Sequence, residues 1–315
     1  LDIPVFHDDQ HGTAIISAAA LLNAAELTDR KLSDLKLVFS GAGAAAIACA
    51  ELYVDLGVLR ENIVLFDSKG AITTKRENLP RGKASFATTR NISSLKEALT
   101  GADGFIGLSV GNILTPEMIE GMNPNPLIFA MANPDPEIAY DLAKATRPDA
   151  IIATGRSDYP NQVNNVLGFP FVFRGALDSR ARKITPEMKV AATRSLAALA
   201  REDVPDNVLI AYGVQRMRFG PDYIIPKPFD PRVLTWVAPA VAAAAETSGV
   251  ARTPIKDLEQ YKESLHRLVE RARGIMQPLI QVAKNARQKP RIVFPDGADE
   301  KILRAAQQLA DEQIC

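Results

Sequence analysis

Residues 35–57, "LKLVFSGAGAAAIACAELYVDLG", decide how the rest of the chain is read. An apolar run from Leu35 to Phe39 meets two glycines, Gly41 and Gly43, and an Ala-rich stretch of helical composition then runs to Gly57. Short apolar strand, tight glycine turn and helix make one βα unit. One such unit cannot cover its own strand, so the rhythm should repeat. It does, at "NIVLFDSKG" (62–70), "GFIGLS" (104–109), "PLIFAMANP" (126–134) and "DAIIATG" (149–155). These runs are continuously apolar and not alternating, as strands buried on both faces require. Helices are expected between them at Ser94–Thr100, Pro116–Gly121 and Pro136–Thr146. The fold class that follows is α/β, with a doubly wound parallel sheet over residues 34–155 and flanking helices.

Working outward, residues 1–33 end in the helical run "TAIISAAALLNAAEL" (13–27). Residues 156–254 carry further helices at "NNVLGFPFVFRGALDSRA", "TPEMKVAATRSLAALARE" and "RVLTWVAPAVAAAAETSG", joined by the Pro-punctuated connector "GPDYIIPKPFDPR". Residues 255–288 read as a charged helical linker. Residues 289–315, "KPRIVFPDGADEKILRAAQQLADEQ" and its end, restart the strand, turn and helix rhythm as the start of a second α/β domain. Leu1 is not a natural start residue and the last residues lie in a helical pattern, so a chain cut at both ends is expected.

With 315 residues, 47% of them hydrophobic, the chain can bury a large core. Lys plus Arg equals Asp plus Glu, 37 against 37, so charge gives no reason to expect nucleic acid or an anionic membrane as partner. Any anion site must be local. Cys49 and Cys315 make neither a metal spacing nor a disulfide framework, which suits a reducing compartment, and a cytoplasmic protein is expected. The longest apolar run, "WVAPAVAAAA", is too short to span a bilayer and is broken by Pro239.

Gly41, Gly43 and Ala46 stand at the spacing of the Rossmann-like dinucleotide fingerprint, and Ala44 opens the helix behind them. The first glycine permits the turn, the second lets backbone approach a pyrophosphate, and the small third residue allows close helix packing. The helix N-terminus adds donors and partial positive charge. Asp67, at the end of the next strand, falls about where an acid reads the ribose, and Ser68 and Lys69 beside it tilt the reading from NAD towards NADP. The bland alternatives are an ordinary βα turn and a solvated turn lysine.

Three other stretches resist explanation as scaffold. "FHDDQHGTA" (6–14) sets Asp8 and Asp9 side by side between His7 and His11 at the start of an apolar helix, although adjacent acids repel. "MANPDPE" (131–137) ends an apolar strand in Asn133, at the sheet edge where ligands of open α/β sheets bind. "ATGRSDYPNQVNNVLGFP" (153–170) carries more amides, including Asn164 and Asn165. An amide donates to a carboxylate without adding charge, which suits a small anion already paired with a metal. A turn role for Asn133 and a capping role for Asn164 or Asn165 are the alternatives.

"PVFHDDQHGTA", "FSGAGAAAIACAEL", "NIVLFDSKG", "FAMANPDPEI" and "TGRSDYPNQVNNVLGFPFVFRGALD", in this order, resemble the malic enzymes, the decarboxylating malate dehydrogenases. With "YIIPKPFDPR" and "RIVFPDG", the resemblance is to the large bacterial form fused to a phosphotransacetylase-like domain, and it covers essentially the whole chain. It implies oxidation and decarboxylation of malate to pyruvate and CO₂, with NADP reduced (NAD possible), Mg²⁺ or Mn²⁺ as the metal, and a homo-oligomer. It implies Asp9 as a metal ligand and Asp8 as a catalytic residue beside it, part of the proton-handling network around the substrate hydroxyl. Asn133, also beside the cofactor, and Asn165 match the contacts to the malate carboxylates, with Asn164 a neighbour in the same loop. For His7 and His11 hydrogen bonding is favoured over metal ligation, and Arg156 is a secondary candidate as a carboxylate clamp.

The family also has an upstream tyrosine and lysine, acting as acid and base, and an acidic pair that supplies more metal ligands. None of these can be assigned here. If the polypeptide starts at Leu1, Asp9 alone would hold Mg²⁺ poorly, and the expected outcome is dinucleotide binding without turnover. Nor is acetyl transfer expected of a single βα unit.

Overall fold

The computed structural model describes residues 3–286, 291–295, 297, 299–311 and 314, and packing divides the chain after Leu258 into two compact units. In the first, helix α1 (Thr13–Leu27) precedes strand β1 (Leu37–Ser40), helix α2 (Ala44–Leu56), strands β2 (Ile63–Asp67) and β3 (Gly70–Ala71), and short helices α3 (Arg81–Ala84) and α4 (Leu95–Leu99). Then come β4 (Gly104–Gly107), α5 (Pro116–Glu120), β5 (Leu127–Ala130), α6 (Tyr140–Thr146) and β6 (Ile151–Thr154). Helices α7 (Phe169–Asp178), α8 (Pro186–Leu199), α9 (Asp206–Ala211) and α10 (Arg232–Thr247) complete the unit.

The sheet order is β3-β2-β1-β4-β5-β6, with every pairing parallel except β2 with β3. The strands bury alternate residues on opposite faces. Leu37, Phe39, Leu65, Ile106 and Phe129 face α1, α2, α7, α8 and α10, while Val38, Val64, Phe105, Ile128 and Ile152 face α4, α5 and α6. Both faces are therefore covered, which explains the unbroken apolar runs. Helix α1 is buried nearly all round, and it packs on α2 and α8 through alanines that let the backbones approach closely. Buried Asn23 donates to the carbonyls of Ala197 (2.9 Å) and Ile224 (2.8 Å), tying α1 to α8 and to the connector.

The structure departs from expectation in four places. Ser68 and Lys69 form a two-residue reversal, so β3 returns antiparallel to β2 as an edge strand. The helix expected from Pro136 begins at Tyr140, because Pro134 and Pro136 lack donors and hold the residues before them extended. Asp8–Gly12 winds as one π-helical turn before α1. In the second unit, α11 (Leu258–Asn285) and α12 (Glu300–Asp311) are helices, but Arg291–Phe294 form no strand. A strand exists only by pairing, and nothing among the described residues pairs with this one. Lys289 and Pro290 of that expected strand lie outside the described residues. No helix among the described residues is long and apolar enough to cross a membrane.

Candidate active site

The parallel register sets Ser40, Phe66, Gly107, Ala130 and Thr154 level across the sheet, so the residues that follow them emerge together along its carboxyl edge. Strand order reverses between β1 and β4, the crevice where ligands of such sheets bind. Gly41 turns the chain there with φ +116°, and a Cβ at this position would lie 2.5 Å from the Leu108 carbonyl oxygen. Its N–H donates to Phe66 O at 2.9 Å. Gly43 is extended and has open space where a side chain would project, so backbone is accessible to a ligand. Ala44 starts α2, whose free N–H groups face the same crevice, and Ala46 is buried against the sheet side. Ser40 Oγ and Ser109 Oγ, 2.8 Å apart, close the fork between β1 and β4.

Asp67 ends β2 as expected, but its carboxylate is already engaged. Arg76 binds it through both Nη atoms at 2.9 and 3.0 Å, Lys83 Nζ lies at 2.8 Å, and the Lys69 N–H donates at 2.9 Å. The Arg76 guanidinium, with Lys83, holds its carboxyl well below the usual carboxylate range. Ser68 and Lys69 are exposed at the tip. Sequence reasoning missed Arg76 and Lys83. The cationic stretch "KRENLPRGK" (75–83) was the available signal, but only the fold carries it back to Asp67.

A second group converges in a cleft of about 500 Å³ lined by Asp8, Asp9, Asn133, Asn164 and Asn165 together with Thr13, Ala45 and Leu108. Ala45 belongs to α2 and Leu108 follows β4, so this cleft shares a wall with the dinucleotide turn. The apolar wall is Met131, Val163, Val166 and Phe169. Asp8 folds back against Gly12, where a Cβ would fall 2.1 Å from Asp8 Oδ1. Oδ1 is buried and has no hydrogen-bond partner among the described residues. Burial pushes the Asp8 carboxyl up, the neighbouring Asn165 side chain opposes this and the Asp9 charge reinforces it. Asn165 Nδ2 donates to Asp8 O at 3.3 Å, and Thr13 Oγ1 donates to Asn165 Oδ1 at 3.0 Å. Thr13 is a third residue that sequence reasoning missed, although a hydroxyl at a helix start was an available signal. Asn164 caps the short turn that follows it, accepting the Val166 N–H at 3.1 Å.

The other candidates are placed differently. His7 is exposed. His11 lies tilted against Phe6 with its Nδ1 3.4 Å from Lys189 Nζ, and burial followed by the Lys189 charge pulls its imidazole down to about 4. Arg156 grips Asp158 at 2.9 and 2.5 Å and does not line the cleft. A polar loop so short can satisfy a guanidinium locally, so this pair needs no site to explain it.

The donor set fits a hard cation in part. An orphaned, shielded carboxylate oxygen beside a second carboxylate suits Mg²⁺ or Mn²⁺, which take oxygen ligands and retain waters. Among the described residues no three His, Cys, Asp or Glu cluster as a metal site.

Residues 10–218 match the family "Malic enzyme, NAD binding domain", and residues 274–315 match "Phosphate acetyl/butaryl transferase". The chain is 52% identical to the NADP-dependent malic enzyme of Escherichia coli (strain K12) over 98% of its own length and 41% of that protein. It is 53% identical to the NAD-dependent malic enzyme of Rhizobium meliloti (strain 1021), over 99% of its own length and 40% of that protein. The chain thus spans about 40% of the length of the curated relatives it matches. Among solved structures, the Entamoeba histolytica malic enzyme superposes with a TM-score of 0.80 at 35% identity, covering 100% of this chain and 62% of that one. The malic enzyme of Pyrococcus horikoshii Ot3 gives 0.76 at 38% identity, covering 89% and 63%. With the matched region spanning most of the chain and two malic enzyme structures superposing over nearly all of it, this chain belongs to the malic enzyme family.

Proposed function

We propose that the chain forms the dinucleotide-binding region and part of the catalytic site of a divalent-metal-dependent malic enzyme, which converts (S)-malate and NADP⁺ to pyruvate, CO₂ and NADPH. The observation that carries this reading is the convergence of Asp8, Asp9, Asn133 and Asn165 in one cleft that also touches α2. The amides of Asn133 and Asn165 donate to the substrate carboxylates and add no charge to a site already holding two acids. Asp9 offers oxygen to Mg²⁺ or Mn²⁺. Asp8, held in a half-buried position with a raised proton affinity, takes part in moving the C2 hydroxyl proton. Leu108, Met131, Val166 and Phe169 give the cleft one apolar wall. A nicotinamide cofactor bound in the crevice at Gly41 and Gly43 would supply the hydride acceptor for C2, and a metal held at Asp9 would supply charge compensation at the substrate oxygen during loss of the C4 carboxylate.

The preference for NADP is supported by Arg76 and Lys83 at Asp67, with Ser68 and Lys69 at the adjoining tip. Identity to relatives does not choose, since both NAD- and NADP-dependent enzymes match equally. Family likeness extends the proposal to a homo-oligomer. The dinucleotide crevice is complete in β1, β2, β4 and α2, while among the described residues no three acids or imidazoles gather to hold a metal, and this favours one other reading, a dinucleotide-binding module without turnover. Titration with NADPH, followed by malate, Mn²⁺ and NADP⁺, on a chain extended upstream separates the two: binding with malate-dependent reduction supports the enzyme, and binding alone supports the module.

A further inference from the structure

The reading above leaves the carboxylate of Glu137 without a role. It is wholly buried, at 0% exposure, and among the described residues its partners are backbone N–H groups and no cation. Oε1 accepts the Ser109 N–H at 3.2 Å and Oε2 accepts the Ala132 N–H at 3.0 Å. Ser109 lies in the tail of β4, and Ala132 lies in the tail of β5 immediately before Asn133. One carboxylate therefore spans two loops that leave neighbouring strands at the carboxyl edge. The main chain around it adds to the same tie, because Leu114 N–H donates to Glu137 O at 2.9 Å and Asn112 N–H to Pro136 O at 3.0 Å.

The surroundings are shaped for this carboxylate. A Cβ at Gly107 would lie 2.3 Å from its Cδ and 2.5 Å from either oxygen, so the last residue of β4 has to be glycine for Glu137 to sit where it does. Burial pushes the Glu137 carboxyl up, and the N–H bonds oppose that. A buried acid without a cation is a costly way to fill space that an apolar side chain could fill. What it adds over an apolar residue is direction, since its two oxygens fix two particular N–H groups.

We propose that Glu137 is a positioning residue: by clamping the tails of β4 and β5 to each other it fixes where Asn133 presents its amide and where Leu108 and Ser109 wall the crevice. In a sheet of this order the β4 and β5 half takes the second mononucleotide, here the nicotinamide end, while β1 and β2 take the adenosine end. Glu137 thus acts on the nicotinamide and malate end and leaves the adenosine end alone. The malate part of this inference rests on the function proposed above. The dinucleotide part does not.

The test uses Glu137→Gln, which keeps the shape but loses the second acceptor, and Gly107→Ala, which keeps the charge but displaces it. Both are compared with the parent in a chain extended by the upstream region that the resemblance implies. In folded Glu137→Gln, malate KM should rise on the order of tenfold or more with a smaller change in kcat. NADPH should bind about tenfold more weakly, while adenosine 2′,5′-bisphosphate, a probe of the adenosine end, should stay within about twofold of the parent. Gly107→Ala should show the same pattern, and the double variant should be no worse than the weaker single one. If Glu137→Gln fails to fold, Gly107→Ala decides. Unchanged malate KM and NADPH affinity in a folded variant overturns the inference. So does equal weakening of both probes with a lowered Tm, the mark of a residue that only supports the fold. If the parent itself does not oxidise malate but the NADPH and bisphosphate affinities split as stated, the malic enzyme reading falls and the positioning role stands.

Discussion

Thr13 orients the amide of Asn165: its Oγ1 donates to Asn165 Oδ1 at 3.0 Å, which leaves the Nδ2 group to donate, at 3.3 Å to the Asp8 carbonyl and otherwise into the cleft. Without that hydroxyl the amide can flip and offer oxygen where the substrate also carries oxygen. Thr13→Val should therefore raise malate KM about fivefold, the equivalent of one hydrogen bond of about 1 kcal/mol. Thr13→Ser should restore it. Steady-state kinetics check both, and a Val variant with the parent's KM would remove Thr13 from this role.

Asp9 is the exposed member of the acid pair and lines the cleft. Asp9→Asn should abolish metal-dependent turnover in an active enzyme while NADPH affinity stays close to that of the parent. Titrating Mn²⁺ against rate, with NADPH binding measured alongside, checks this. Unchanged Mn²⁺ dependence would exclude Asp9 from the ligand set.

Arg76 and Lys83 sit beside the acid at the tip of β2, where the two dinucleotides differ by one phosphate. A charge-assisted hydrogen bond is worth roughly 1.5–3 kcal/mol, so Lys83→Gln should weaken NADP⁺ by about tenfold to a hundredfold and NAD⁺ far less. Dissociation constants for both cofactors measure the difference. Equal losses for both would assign Lys83 to holding Asp67 alone.

The same cluster sets an acid limit on stability. Asp67 has a folded-state pKa below its ordinary 3.8, so the unfolded chain binds a proton first as pH falls. Its contribution is complete above that ordinary value and is lost as pH falls towards the depressed one. Asp67→Asn should lower Tm at neutral pH, and the gap to the parent should narrow below about pH 4. A gap that is constant with pH, followed by thermal melts, would mean that the ion pairs do not carry the stability.

The parallel strands were legible because doubly covered strands write continuous apolar runs, and the glycine turn was legible because Gly41 must reach φ +116° against the Leu108 carbonyl. The β3 return was not, since a two-residue edge strand has no period to detect. Asp8, Asp9, Asn133, Asn164 and Asn165 could be picked out by residue type, and the fold brings all five to one cleft. Thr13 escaped notice because its partner is 152 positions away, and Lys83 because the chain must fold back 16 positions to reach Asp67. Arg156 stands outside this cleft, on a salt bridge to Asp158 that is local in sequence.

Absorbance of the reduced nicotinamide, in the presence of malate, Mn²⁺ and either NADP⁺ or NAD⁺, tests the central claim most directly when recorded on this chain and on one extended upstream. The account predicts malate-dependent reduction in the extended chain, faster with NADP⁺, together with NADPH binding in both. No reduction in either chain, with NADPH binding intact, would contradict it and leave a dinucleotide-binding module.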